Sequence, residues 1–320
     1  MTGLKKQTMR DTLIKRIYER MKTDESIFFL SADMGAPVLD ALREDFPDRF
    51  VNVGIAEQNL INVSTGLAIE GFKVFAYAIA PFITMRCFEQ IRTNLSLSAR
   101  FRDLNVNLVG VGAGVSYDMS GPTHHSVEDI SIMRTLPDIG LISPSDWTLA
   151  GEFLDYALEA GGPKFLRLDG KPQEAIYTED TEFDWNKGFH EHGKGAEVCI
   201  ISTGYMTHKA LKAAEELGKE GHGITVIDLF LLKPFNEAAL FEAIKSCKSI
   251  VTIEEGFIDK GGLDSMILGM LSDRNANIRL TRLGFDDNYI FKGGGRDHLY
   301  TQSGFGDDDI MRTLRESMKG

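Results

Sequence analysis

Short apolar runs alternate with longer stretches of helical period along the first half of the chain. The runs contain few polar positions, which favours strands that are buried on both faces. Strands are predicted at 27–30, 50–53, 73–79, 106–111, 139–142 and 165–168. Helices are predicted near 37–45, 56–70, 82–98, 127–135 and 146–160. This alternation indicates a parallel sheet covered on both faces, so residues 1–172 are expected to form a doubly wound α/β domain.

The pattern lapses over 173–190, where polar and acidic residues with little periodicity are typical of a linker between domains. Alternation then resumes. Further strands are predicted at 198–202, 224–229, 250–253 and 278–283, and further helices near 206–220, 236–246 and 262–273. Residues 191–320 are therefore expected to form a second, smaller α/β domain.

Composition and charge exclude several classes of protein. With 43% apolar side chains the chain is too apolar to be disordered, and its formal net charge of −12 argues against a nucleic-acid partner. The longest apolar run, 74–83, is ten residues long, whereas a membrane helix needs about 20. Cys87, Cys199 and Cys247 show neither metal-ligand spacing nor a disulfide framework. We therefore expect a cytoplasmic protein with no metal site of its own and no contact with a membrane.

Ligands bind in open α/β sheets at the carboxyl ends of the strands, so the segments that follow the predicted strands are the candidates for function. These segments are 31–35, 54–59, 80–88 and 110–125. Glu57 has a structural alternative, because a carboxylate in the first turn of a helix is stabilised by about 0.3–1 kcal/mol through the helix dipole. Phe82 and Phe88 fit an ordinary core as well as a cofactor site.

The fourth segment contains two features of different weight. Gly110–Gly114 matches a phosphate-binding loop only weakly, because no Lys-Ser/Thr pair follows it. His124 and His125 lie in a Gly-Pro loop, and loops seldom hold paired histidines for packing. Since imidazole titrates near neutral pH, at least one of the two is expected at a functional site.

Taken together, the segments resemble a family of thiamine diphosphate-dependent enzymes. Residues 53–59 are similar to the Gly-Ile-x-Glu-Gln signature of transketolase, 1-deoxyxylulose-5-phosphate synthase and the beta subunits of 2-oxo acid dehydrogenases. Other matching segments are 31–33, 82–90, 121–129, 142–146, 201–204, 252–255 and 261–263. The chain is identified as a member of the transketolase family and is most similar to the carboxy-terminal half of transketolase. The resemblance implies a pyrimidine-binding domain followed by a transketolase C-terminal domain.

The resemblance also implies roles for individual residues. Glu57 would be the catalytic carboxyl that hydrogen-bonds to N1′ of the cofactor's aminopyrimidine, kept protonated by desolvation. His124 would face the thiazolium and the substrate, where it could hydrogen-bond or move a proton at an alkoxide. The cofactor-binding residues implied are Asp33, Met34, Ile55, Glu57, Phe82, Met85 and Phe88. The substrate-binding residues implied are Arg86, Ser120 and His124.

Arg86 matches a substrate-side arginine of the deoxyxylulose synthases, and a surface ion pair with Glu89 is the alternative. Three positions depart from transketolases that act on sugar phosphates. Ser120 stands where they have an acid, and Gly112 stands where they have a histidine. They also have a phosphate-binding arginine at about the position of Gly170. Arg167 or Lys171 could substitute for that arginine, although an ammonium does not reproduce the bidentate fork of a guanidinium. These departures leave the substrates open, including modified or nucleotide-linked sugars and 2-oxo acids.

Half of the family's cofactor site is missing from the chain. Family members hold Mg²⁺ and the diphosphate through a Gly-Asp-Gly motif, which does not occur here. We therefore expect a split enzyme in which a separate amino-terminal-half subunit supplies the Mg²⁺ and diphosphate site, in an α₂β₂ heterotetramer. The expected activity is transfer of a two-carbon ketol unit between sugar-type substrates, and the chain alone is expected to be inactive.

Two other enzymes and a protein of another class remain alternatives. They are the beta subunit of a decarboxylating 2-oxo acid dehydrogenase, an enzyme like deoxyxylulose-phosphate synthase, and a non-catalytic scaffolding subunit.

The second domain contains fewer candidate functional residues than the first. Ser202–Gly204 fits either an anion site or a structural turn from strand to helix, and Arg296 and His298 could reach a neighbouring site.

Overall fold

Two sheets with helices packed on them make up the structure, which is a computed structural model. It describes residues 6–291 and 293–319, so the outer limits of the two predicted domains, residues 1 and 320, lie outside the described residues. The strands of this part are β1 (Ile27–Ser31), β2 (Phe50–Asn52), β3 (Lys73–Ile79), β4 (Val106–Val111), β5 (Gly140–Ile142), β6 (Lys164–Leu168), β7 (Phe189–His192), β8 (Val198–Ser202), β9 (Ile224–Leu229), β10 (Leu231–Lys233), β11 (Ser249–Phe257) and β12 (Arg279–Phe285).

The helices connect these strands and cover both faces of the sheets. They are α1 (Met9–Met21), α2 (Leu39–Asp45), α3 (Glu57–Ile69), α4 (Phe88–Gln90), α5 (Asp129–Arg134), α6 (Trp147–Glu159), α7 (Met206–Lys219), α8 (Glu237–Ile244), α9 (Leu263–Asp273), α10 (Arg296–Gln302) and α11 (Asp307–Ser317). Side-chain caps start two of the long ones: Thr8 accepts from Asp11 N, and Asp146 accepts from Leu149 N.

The first sheet has the order β10-β5-β6-β4-β3-β1-β2, with β1 to β6 parallel and β10 antiparallel to β5. Its central strands are buried along nearly their whole length, as expected for a sheet that helices cover on both faces. The predicted doubly wound α/β fold is therefore confirmed. The carboxyl ends of β1, β3, β4 and β6 meet at one edge of this sheet.

The second sheet has the order β12-β11-β8-β9-β7, and β7 is its antiparallel edge strand. Two strands were not predicted. β7 is short, half-buried and polar in sequence, and it begins at Phe189, inside the segment 173–190 predicted as a linker. β10 follows β9 after a single residue, so the two read as one apolar run, yet β10 pairs with the first sheet. The predicted limits at 172 and 190 remain predictions.

The two sheets share a core. One buried apolar cluster includes Leu60 and Ile130 from helices on the first sheet, together with Ile201 and Leu240 from the second half of the chain. Because buried apolar side chains from both halves of the chain belong to one cluster, the hydrophobic effect holds the second sheet against the first. Among the described residues, no helix is long and apolar enough to cross a membrane.

The segment predicted as one helix over 82–98 has a less regular backbone. Two π-helical stretches, Phe82–Arg86 and Ile91–Ser96, flank the three residues of α4. Thr84 Oγ1 donates to the carbonyl of Ala80, an interaction that competes with regular helical hydrogen bonding. π-Helical turns are frequent at functional sites, and this one carries three of the predicted site residues.

Candidate active site

Glu57 is the first residue of α3 and lies at the carboxyl edge of the first sheet. The chain reaches it through a sharp turn at Gly54, whose φ of 76° favours glycine. The Glu57 side chain is only 3% exposed. A carboxyl group that is buried at this edge, where ligands bind, is the feature from which the site is built.

Arg86 contacts this carboxyl. Its Nη1 lies 2.8 Å from Oε1 and 2.9 Å from Oε2 of Glu57. The predicted alternative, a surface pair with Glu89, is therefore wrong. The expectation that desolvation keeps Glu57 protonated remains a prediction. Arg86 itself is 46% exposed, so it reaches Glu57 from the solvent side.

Aromatic contacts extend the site from Arg86 to His124. The Arg86 guanidinium lies over the Phe82 ring at 4.2 Å, and Phe82 meets the His124 ring edge to face at 5.2 Å. The hydroxyl of Thr123 is 3.0 Å from Nδ1 of His124. The structure therefore brings four predicted residues into one chain of contacts, Glu57–Arg86–Phe82–His124, which we call the Glu57 cluster.

The other predicted cofactor and substrate residues surround this cluster less directly. Met34 and Phe88 are half-buried against the apolar cores, whereas Asp33, Ile55, Met85 and Ser120 are exposed. Within the described ranges, none of these six side chains hydrogen-bonds to the cluster. Their roles at the site remain predictions.

Asp33 has a partner that the sequence reasoning missed. Asn52 donates through Nδ2 to Asp33 Oδ1 at 2.9 Å, and its Oδ1 accepts from the backbone N–H groups of Asp33 and Gly54. The pair thus links the ends of β1 and β2 to the turn that leads to Glu57. Asn52 is the last residue of β2, so a search of strand ends for polar side chains could have found it.

The glycine-rich segment of β4 serves close packing. A Cβ on Gly110 would lie 2.6 Å from the Phe165 ring, one on Gly112 would lie 2.4 Å from Tyr117, and one on Gly114 would meet Glu255. These approaches explain the glycines without a phosphate. Tyr117 also lies 2.8 Å from a Cβ position on Gly170. It therefore fills the space beside Gly112 and Gly170, two of the three positions at which the chain is expected to depart from sugar-phosphate transketolases.

Neither residue suggested as a replacement for the missing arginine is a free cation. Arg167 is 1% exposed and donates from Nε to both oxygens of Asp129, at 3.0 and 2.8 Å. Lys171 forms an ion pair with Asp118. Arg167 is thus part of a buried structure, whereas Lys171 keeps a half-exposed side chain.

A buried network of charges joins residues of the first sheet to residues of the second. We call it the interdomain cluster, and its members are Asp129, Arg167, Asp169, Glu255, Arg296 and Tyr300. Arg296 donates from Nη2 to Glu255 Oε2 at 2.6 Å and stacks on Tyr205 at 3.7 Å. The guanidinium of Arg296 opposes the effect of burial on the Asp169 carboxyl, whose pKa nevertheless stays above its ordinary value. Arg296 is thus tied within the chain.

The remaining candidates are His125, Ser202–Gly204 and His298, whose roles remain predictions. His125 is buried, burial lowers its pKa, and neither of its ring nitrogens is hydrogen-bonded in the part of the chain that the structure describes. Gly204 N donates to the carbonyl of Ser143 at 3.3 Å, so Ser202–Gly204 packs against the first domain. His298 contacts Gln302 on its own helix.

Comparisons with known proteins identify the family. The profile described as "Transketolase, pyrimidine binding domain" matches residues 5–171, and "Transketolase, C-terminal domain" matches residues 189–310. The chain belongs to the transketolase family.

Two curated relatives and one solved structure are similar over most of the chain. It is 34% identical over 268 residues to a subunit of the apulose-4-phosphate transketolase of Actinobacillus succinogenes, covering 84% of both chains. It is 32% identical over 314 residues to the 6-deoxy-6-sulfo-D-fructose transketolase subunit SqwH of Clostridium sp. strain MSTE9, covering 98% of this chain and 95% of that protein. The structure described as "Split gene transketolase, inactive beta4 tetramer" superposes with a TM-score of 0.85 at 30% identity over 98% of both chains.

Proposed function

We propose that this chain is the carboxy-terminal-half subunit of a split transketolase. It would transfer a two-carbon ketol unit between sugar-type substrates, with thiamine diphosphate as cofactor. The observation that carries the proposal is the Glu57 cluster: a carboxyl that is buried at a sheet edge, in contact with residues that open to the solvent. Membership of the transketolase family supports it.

The described residues fit the aminopyrimidine end of the cofactor. Glu57 offers a buried carboxyl for a ring nitrogen, and Phe82 offers a half-exposed aromatic face for stacking. When bound, thiamine diphosphate supplies a nucleophilic carbon on its thiazolium ring. Asp33, Met34, Ile55, Met85 and Phe88 would complete the wall of this pocket.

Within the chain, the work of Glu57 is to hold a proton against the aminopyrimidine. Since Arg86 occupies both Glu57 oxygens in the structure, its guanidinium has to move aside toward the solvent for Glu57 to do so. Arg86 is then free to face the substrate together with Ser120. His124 is held by Thr123 with one ring nitrogen engaged, which leaves Nε2 to move a proton at a substrate oxygen.

A partner subunit would cover the open face of the site and supply most of the ligands for Mg²⁺ and the diphosphate. Ile55, Met85 and Met119 are exposed apolar side chains on the segments that carry the cluster. These three flank residues of the cluster in sequence, and an exposed apolar patch is typical of a protein interface. A related structure is described as an inactive beta4 tetramer, which supports the expectation that this chain is inactive alone. We propose an α₂β₂ assembly.

The substrates we propose are sugars that carry an anionic group. The named activities of the two relatives concern apulose 4-phosphate and 6-deoxy-6-sulfo-D-fructose, both of which are sugars with such a group. Tyr117 fills the space beside Gly112 and Gly170, so the anion would be bound by residues other than those of sugar-phosphate transketolases. Arg86 and Lys171 are half-exposed cations on this edge.

The test is reconstitution. The chain is co-purified with its amino-terminal-half partner, and two-carbon transfer from phosphorylated and sulfonated ketoses is measured with thiamine diphosphate and Mg²⁺. We expect turnover by the pair and none by the chain alone. Robust turnover by the chain alone would refute dependence on a partner, and reduction of lipoamide by the pair would instead indicate a 2-oxo acid dehydrogenase.

A further inference from the structure

We propose that the second domain positions His124, and that Glu255 is the residue through which it does so. The proposal rests on the function proposed above, because it gives His124 its importance. The segment concerned is 112–126, which we call the His124 loop. It leaves the end of β4, passes over the interdomain cluster and returns toward α5.

The first anchor of the loop is a hydrogen bond across the domain junction. The backbone N–H of Val115 donates to Oε1 of Glu255 at 3.1 Å. Gly114 packs so closely on the same carboxyl that a Cβ there would lie 2.4 Å from its carbon. Any other side chain at residue 114 would displace Glu255 or the loop. The loop and a residue 140 positions later in the chain are thus fitted to each other.

The second anchor comes from the partner of Glu255. Arg296 holds Glu255 through its side chain, and its backbone N–H donates to Oδ2 of Asp118 at 2.7 Å. Lys171 contacts the same carboxylate. Asp118 lies in the loop, six residues before His124, so α10 fixes the loop at a second point.

The third anchor closes the far end of the loop. Gly114 and Ser126 exchange backbone hydrogen bonds of 3.1 and 2.8 Å, which brings the two ends of the loop together. Arg167 donates from Nη2 to the carbonyls of Ser126 at 3.1 Å and Glu255 at 2.9 Å. His124 therefore lies between fixed points at Asp118 and Ser126, both of which connect to Glu255.

Glu254 shows that this arrangement is specific to residue 255. The two acids are neighbours on β11 and are both buried. Glu254 accepts from the backbone of Leu263 at 3.0 Å and of Asp264 at 2.9 Å, at the start of α9. It supports a helix of the second domain, whereas Glu255 supports the loop of the first. The pair offers a matched control.

The experiment compares Glu255→Ala with Glu254→Ala in the reconstituted pair of subunits. We expect Glu255→Ala to lower kcat about tenfold to a hundredfold with KM for the cofactor unchanged, because small displacements of catalytic groups have effects of this size. Glu254→Ala should lower the melting temperature and leave kcat within about twofold. Glu255→Gln retains an acceptor for Val115 and should restore most of kcat.

Two further readouts do not depend on turnover. Hydrogen exchange of residues 112–118 and the NMR chemical shifts of the His124 ring protons are measured in the full chain. Both should change in Glu255→Ala and stay at wild-type values in Glu254→Ala. Because they need no substrate, they decide the positioning role even if the wild-type pair shows no ketol transfer, a result that would refute the proposed function alone.

The proposal is overturned if Glu255→Ala folds, binds its partner and keeps wild-type kcat and exchange, or if both alanine variants change these readouts equally. Should Glu255→Ala fail to fold, Tyr300→Phe replaces it. This change removes only the hydroxyl that donates to Glu255 Oε1 at 2.6 Å. Faster exchange at Val115 in this variant supports the proposal, and unchanged exchange refutes it.

Discussion

The Glu57 cluster and the interdomain cluster use the same chemistry in opposite settings. Each pairs an arginine with a carboxylate. In the first, Arg86 is 46% exposed; in the second, the Arg167 and Asp129 side chains are 1% and 0% exposed. The first pair can open to admit a ligand, because water can solvate the guanidinium that leaves. The second cannot open without burying an unpaired charge.

The exposed cluster holds the residues proposed to react, and the buried cluster holds residues that support the fold. The residues proposed to react lie on an open edge of the first sheet and make few contacts with one another. The residues of the interdomain cluster come from both halves of the chain and make most of their hydrogen bonds with one another. An active site needs preorganised groups at its surface, and rigid supports below are one way to obtain them.

The largest effect is expected on the buried side of the comparison. Arg167→Met leaves the buried Asp129 carboxylate without its ionic partner and should lower the free energy of unfolding by about 3–5 kcal/mol. Denaturant unfolding of the full chain measures the change. The matched control is Arg100→Met, which breaks an exposed pair with Asp138. A loss at Arg167 no larger than that at Arg100 would contradict the interpretation that the interdomain cluster is closed.

The next effect is expected on the open side, and on rate rather than stability. Glu57→Ala in the reconstituted pair should lower kcat at least ~100-fold, the scale of acid–base contributions. Its free energy of unfolding should change little, because the partner of Glu57 is solvated. Glu89→Ala, an acid three residues after Arg86, is the control and should retain activity. Full activity of Glu57→Ala would favour a non-catalytic, scaffolding subunit.

The sequence located the segments of the open side. Ligand sites in parallel sheets follow strand ends, and strands are local features that a run of apolar residues reveals. The individual roles of Glu57, Phe82, Arg86 and His124 came from the family resemblance and remain predictions. The contacts among these residues could not be predicted from the sequence. Arg86 pairs with Glu57 rather than Glu89 because the fold brings α3 beside the segment 82–86.

The closed side escaped prediction because its contacts are distant in sequence. Arg167 was interpreted as a candidate for binding a phosphate, yet its charge is satisfied by Asp129, 38 residues earlier. Glu255 and Val115 are 140 residues apart. Gly114 is a glycine because Glu255 packs closely against it. The glycine alone does not identify the residue that packs there.

Glu254, a buried acid beside the interdomain cluster residue Glu255, should make the free energy of unfolding depend on pH. Burial raises its pKa to about 7 from an ordinary value of 4.5. The unfolded chain releases this proton near pH 4.5 while the folded chain keeps it, so Glu254 makes stability fall as pH rises from about 4.5 to 7 and has no further effect above. The fall should be roughly 3.5 kcal/mol, at about 1.4 kcal/mol per pKa unit.

Glu254→Gln should reduce this dependence. The variant cannot ionise, so its free energy of unfolding should vary less between pH 5 and 7 than that of the wild type, even though one backbone N–H at the start of α9 loses its acceptor. Denaturant unfolding at pH 5, 6, 7 and 8 measures both chains. Parallel curves for the two would show that Glu254 ionises as readily in the folded chain as in the unfolded one.

The last prediction concerns Arg86→Met. Arg86 is half-exposed but the Glu57 carboxyl is buried, so the fall in the free energy of unfolding should lie between the about 0–1 kcal/mol of a surface pair and the about 3–5 kcal/mol of a buried one. Since Arg86 is proposed to face the substrate once it leaves Glu57, KM for an anionic donor should rise several-fold in the reconstituted pair, an effect of about 1 kcal/mol. Arg86→Lys should recover part of it, because a lysine keeps the charge without the fork. A stability loss as large as that of Arg167→Met would show that Arg86 is locked onto Glu57, and the contrast between an open and a closed cluster would then fail at its open end.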